Sequence, residues 1–149
     1  MSDFQTRSEH GCHNLAFLSS FFLKRFNDWA VTVMFYASVH MTEAILAKAH
    51  SIHPLNHKER SDSIAKLKSF PVNAYKTLER EARYSRYKNY QIFDIEVYRL
   101  FKIHMRVLIL WFNEQAGTGH AVDLKPFDDA CSEWDKKASA KDPECNKWH

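Results

Sequence analysis

The chain predicts an all-α fold, an up-and-down bundle of four to five helices with a C-terminal extension, and three observations carry that expectation. Three glycines and four prolines serve 149 residues, against roughly 12% for the pair in average usage. The glycines are Gly11, Gly117 and Gly119, so residues 12–116 hold none. Phosphate-cradling loops, dinucleotide fingerprints and two-residue hairpins all need glycine to reach backbone angles closed to other residues. A P-loop, a Rossmann turn and a β-meander are therefore disfavoured. Finally, apolar residues through the glycine-free stretch recur at helical spacing, and a composition of 45% hydrophobic with 14% aromatic residues is too apolar for disorder.

The elements follow in order. Leu15, Phe17, Leu18, Phe21, Phe22 and Phe26 mark a first helix over 14–25. Asn27 or Asp28 can cap a second helix over 29–50, whose two adjacent faces are both rich in large residues, so it should lie centrally. Residues 51–55, with Pro54, read as a loop. A third helical region starts at Asn56 or His57 and buries Ile64, Leu67 and Phe70, until Pro71 forces a kink or a fresh start. Ala74, Leu78 and Ala82 continue the stripe to Tyr84, and 85–91 read as a connection. The clearest helix covers 92–112, with Val97, Leu100, Phe101, His104, Val107, Leu108 and Trp111 on one side, and Gly117 and Gly119 end it.

These boundaries suggest three regions: a flexible N-terminus at 1–12, the bundle at 13–116, and a partly ordered extension at 117–149 with a short helix near 127–138. Past Gly119, seven acidic residues face five lysines, so the tail is net −2 and the body +5. Cys12, Cys131 and Cys145 are odd in number and lie outside the central block, which favours a reducing, cytoplasmic setting. The longest charge-free apolar stretch, 29–42, is short of the roughly 20 residues a membrane span requires, so no membrane association is expected. No cofactor motif is present.

Three constellations could carry chemistry. Basic density peaks where Arg80, Arg83, Arg86 and Lys88 interleave with Tyr84 and Tyr87. Guanidinium groups bind phosphates and tyrosines stack on unpaired bases, which suits single-stranded nucleic acid; the same side chains can also simply cover apolar surface with their stems and rings. His57 and Arg60 stand three apart at a helix start, where an imidazole could move a proton beside a cation, unless His57 only caps the helix. Tyr36, His40 and Glu43 share one face of the second helix and could form a hydrogen-bonded core group. Of the nine histidines, His10 and His13 with Cys12, and His50, His53 and His57, are too loosely assembled to predict a metal site.

At Asp28-Trp29-Ala30-Val31, Phe35-Tyr36-Ala37-Ser38-Val39-His40, His57-Lys58-Glu59-Arg60 and Arg80-Glu81-Ala82-Arg83-Tyr84, the chain resembles small prokaryotic members of the HEPN superfamily over residues 13–112. That resemblance implies a helical bundle, often dimeric, and frequently a metal-independent ribonuclease of toxin-antitoxin or antiviral systems, with a nucleotidyltransferase or antitoxin as partner. The superfamily's usual motif, arginine then histidine after four to six residues, fits Arg99 and His104. Five residues of ideal helix turn by about 140°, so these two converge only at a helix start or a distortion. His57, Arg60 and Arg83 form the competing set. The expected function is thus RNA or nucleotide binding with possible RNA cleavage; the alternative is a non-catalytic helical dimerisation module that binds a partner protein.

Overall fold

A computed structural model describes residues 3–87 and 91–140. Seven α-helices and no strand are found among them: α1 (Asp3–Phe21), α2 (Asn27–His50), α3 (His57–Ile64), α4 (Val72–Tyr87), α5 (Asp94–Leu100), α6 (Arg106–Ala116) and α7 (Lys125–Ala140). A π-helical turn, Phe101–Met105, joins α5 to α6 in one continuous rod. The all-α bundle with a C-terminal extension expected from the sequence is what forms.

The central helix is α2, as its two apolar faces require. Val31, Met34, Phe35, Ala37, Met41, Ala44 and Leu46 are all buried on it, and α1, α4 and α6 pack around it. By length and composition α2 could cross a membrane, yet 78% of its most apolar 18-residue window is buried inside the protein. Its apolar surface is spent on the core. Neither Asn27 nor Asp28 caps it: Phe26 occupies the cap position without a side-chain bond. Asn27 instead sits in the first turn and donates through Nδ2 to the Ile92 carbonyl, 2.8 Å away, tying the start of α2 to the approach to α5.

The first helix begins at Asp3, well before residue 14, and so runs through the region expected to be flexible. Gly11 allows this: a Cβ there would lie 3.1 Å from Met41 Cγ, so the missing side chain is what lets α1 approach α2. Arg7 then reaches Glu43 across the same interface. The helix stops at Phe21, and Leu23 and Arg25 turn the chain with positive φ.

At α3, Asn56 is the cap, accepting from the Glu59 amide at 2.9 Å, while the Glu59 carboxylate accepts from the Leu55 amide and the Asn56 side chain. This reciprocal arrangement relieves the free amides of the first turn and leaves His57 without a capping role. Pro71 marks a fresh start, as expected, with α4 beginning at Val72. That helix continues to Tyr87, into the stretch read as a connection.

In the long rod the buried set is Val97, Phe101, Met105, Leu108, Ile109, Trp111 and Phe112. Val107, expected inside, is exposed, and His104 and Leu100 are only half-buried. The π turn explains the difference, because its i→i+5 bonding inserts a residue relative to α-helical phase and slips the buried face by one position. Past Gly117, whose φ of 88° ends the rod, Asn113 exchanges hydrogen bonds with the backbone of Val122. The seventh helix then docks Phe127 and Cys131 into the core, with the Phe127 ring stacked 4.7 Å from Phe101. The extension is tied to the core through Phe127 and Cys131, while residues 135–139 are exposed.

Candidate nucleic-acid site

The π turn decides the geometry of the site. It begins two residues after Arg99 and contains His104, and the two side chains line one surface hollow of about 190 Å³ together with Glu81, Ile92, Glu96, Leu100 and Ile103. With i→i+5 bonding, residues five apart fall on one side of the rod, whereas an α-helix would splay them. Single π turns of this kind are frequent at functional sites.

The hollow has a floor from α4 and walls from the rod. Burial holds His104 below the usual histidine value of 6.5, the Arg80 guanidinium lowers it further, and Glu81 opposes both. The charged imidazolium is thereby disfavoured. Arg99 is exposed, and no ion pair claims it among the described residues. Glu81 and Glu96, which sequence reasoning leaves out of the site, complete it. Glu96 also accepts from the Phe93 amide at 2.7 Å and so fixes the start of α5; a glutamate three residues into a helix was the available signal.

A basic track leads to this hollow. Lys76, Arg80, Arg83 and Tyr87 recur at intervals of four, three and four along α4, and all are exposed, so they form one solvent-facing stripe. Arg80 pairs with Glu81 at 2.9 Å while keeping most of its side chain in water. Arg86 leaves the stripe: it donates to the Tyr36 hydroxyl at 2.9 Å and lies 5.5 Å and 5.4 Å from the rings of Tyr36 and Tyr87. Tyr84 is half-buried, and Lys88 lies outside the described residues. The expected nucleic-acid set thus divides into a solvent track, Arg80, Arg83 and Tyr87, and a cation–π clasp at Arg86.

The competing set does not assemble as one site. His57 Nδ1 does meet Arg60 Nη1 at 3.0 Å, and Glu79 approaches the same ring nitrogen at 3.7 Å. Arg60, however, is buried and bound to Glu43 through Nε at 2.7 Å and Nη2 at 2.6 Å, and Arg7 holds the other carboxylate oxygen. A guanidinium committed in this way is a structural cation. No hydrogen bond or ion pair joins Arg83 to either residue among those described. The Tyr36, His40 and Glu43 group is also dispersed: Tyr36 serves Arg86, Glu43 serves the arginines, and His40 Nδ1 is enclosed without a partner. Tyr75 caps the cluster, its phenol pushed up to about 12 by burial.

Among the described residues no three histidine, cysteine, aspartate or glutamate side chains converge. His10 packs edge-on against His40 with ring centres 5.3 Å apart, and His53 pairs with Asp3 at 2.6 Å. Comparison with known proteins adds no relative. No family profile, curated protein or solved structure matches the chain. Its function has to be argued from its own geometry.

Proposed function

We propose that this is a HEPN-like, RNA-binding helical bundle that cleaves RNA without a metal at the hollow shared by Arg99 and His104. The convergence of those two side chains across the π turn carries the reading. Neutral His104 removes the proton of a ribose 2′-hydroxyl, whose oxygen attacks the adjacent phosphorus. Arg99 stabilises the charge that develops on the phosphoryl oxygens. The bond to the 5′-oxygen breaks, that oxygen takes a proton from water, and a 2′,3′-cyclic phosphate remains. Lys76, Arg80 and Arg83 hold the flanking backbone.

Ile103, Val107 and Leu110 form an exposed apolar stripe beside the hollow, at 59%, 43% and 50% exposure. In this reading a second copy covers the stripe and narrows the cleft. A reducing cytoplasm fits the unpaired thiols of Cys12 and Cys131, and a toxin-antitoxin or antiviral role fits a small ribonuclease whose activity a nucleotidyltransferase or antitoxin would restrain. The same stripe also favours a second reading, a non-catalytic module that uses it to bind a partner protein.

Incubating the full chain with total RNA in EDTA separates the two. Cleavage lost in His104→Ala and Arg99→Ala but kept in His57→Ala supports the nuclease. No cleavage by a folded dimer supports the interaction module. Loss in His57→Ala alone moves the chemistry to the start of α3.

A further inference from the structure

A larger hollow, about 380 Å³, adjoins the first one, and Ile92 lines both. It lies between the turn that ends α1 and the approach to α5, where Arg25, Asn27, Asp28, Phe93 and Asp94 face it. Its chemistry differs from that of the reaction hollow. Beside Arg25 and the Gln91 amide its lining carries two carboxylates and a carboxamide whose nitrogen is already spent on the Ile92 carbonyl. Asn27 Oδ1 and Asp94 Oδ1 are both enclosed and accept no hydrogen bond, and a buried acceptor without a donor is costly. The Phe93 ring stands 56% exposed at the rim, and Arg25 is exposed beside it.

We infer that this hollow is a base-reading subsite that selects guanine next to the phosphate handled at Arg99 and His104; the inference rests on the nuclease reading above. Unpaired bases are recognised by stacking on an aromatic ring and by hydrogen bonds to their edges. Phe93 supplies the ring. Guanine offers two adjacent donors on its Watson–Crick edge, N1–H and N2–H₂, which suit a carboxylate such as Asp28 or Asp94. On its other edge it offers O6 and N7 as acceptors, which suit the guanidinium of Arg25. Adenine and cytosine set their amine beside an acceptor nitrogen, and uracil has one ring N–H between two carbonyls, so only guanine offers two adjacent donors to a carboxylate and two adjacent acceptors to a guanidinium. The shared wall at Ile92 puts the base seat beside the reacting phosphate.

The test uses a labelled oligoribonucleotide with a single guanosine among A, U and C, and a twin in which inosine, lacking the 2-amino group, replaces it. In parallel, binding of GMP, IMP and AMP is followed by calorimetry. Cleavage confined to the guanosine linkage, slowed roughly tenfold or more by inosine, with GMP bound in preference to IMP, supports the subsite. Asp94→Asn should reduce the guanosine-to-adenosine cleavage ratio by a similar factor. Cleavage that depends on His104 but is indifferent to the base overturns the subsite and leaves the nuclease reading standing. Preferential GMP binding without any RNA cleavage supports the seat and overturns the nuclease. Agmatine bound in place of GMP overturns the subsite, because the acceptors would then serve a guanidinium amine.

Discussion

Arg99 and His104 line the same hollow, and the π turn Phe101–Met105 begins two residues after the arginine and contains the histidine. The turn converts a spacing that an α-helix would splay into one that converges. Its register is held from the buried side by Phe101 and Met105, both fully enclosed, so the face that carries Arg99 and His104 depends on packing at the buried face.

A first consequence concerns pH. His104 must be neutral to act as a base, and burial with Arg80 holds its pKa below 6.5. The acid limb of kcat/KM should therefore lie below pH 6.5. Arg80→Gln removes a cation that disfavours the imidazolium, so the limb should move to higher pH, whatever happens to KM. An unmoved limb would separate Arg80 from His104.

Stability should also depend on pH, through His40. Burial lowers its pKa; Glu43 opposes this, while His10, Arg7 and Arg60 lower it further. The unfolded imidazole takes up a proton near pH 6.5 that the folded one refuses until lower pH. Folding stability is thus fully present above about pH 6.5 and declines as pH falls from there toward the folded pKa. Urea midpoints measured between pH 7.5 and 5 should show that decline, and His40→Gln should flatten it.

The Glu43 carboxylate is buried between two guanidinium groups. Glu43→Gln leaves Arg60 charged and buried without its counter-ion, and should cost about 3 kcal/mol in chemical unfolding. Glu79→Gln, altering a residue that touches only the edge of the cluster, should cost less than about 1 kcal/mol.

The exposed stripe predicts an assembly effect. Val107→Glu places a charge midway between Ile103 and Leu110. Light scattering should show the wild type as a dimer and the variant as a monomer, and RNA cleavage should fall with it. A monomeric wild type of full activity would rule out the shared cleft.

Legibility in the sequence followed the physics of each segment. The course of α2 and the fresh start at Pro71 were readable because periodicity and proline act locally. The early start of α1 was not, since Gly11 looks like a helix breaker until Met41 is seen against it. Val107 was assigned inward because sequence periodicity assumes an unbroken α-helix, and nothing local announces a π turn. Arg99 and His104 could be named from a motif; that they line one hollow could not. Arg60 looked catalytic beside His57, but Glu43, far away in sequence, claims it.

Phe127 stacks on Phe101, the residue with which the π turn opens, and Asn113 clasps the backbone of Val122 on the way. Trimming the chain at Gly117, where the rod ends, would bare the Phe101 ring on the buried side of the π turn. The smallest piece that carries its own complete core therefore extends through α7. A substitution at Phe127 would thus be felt at Phe101, on the buried side of the π turn.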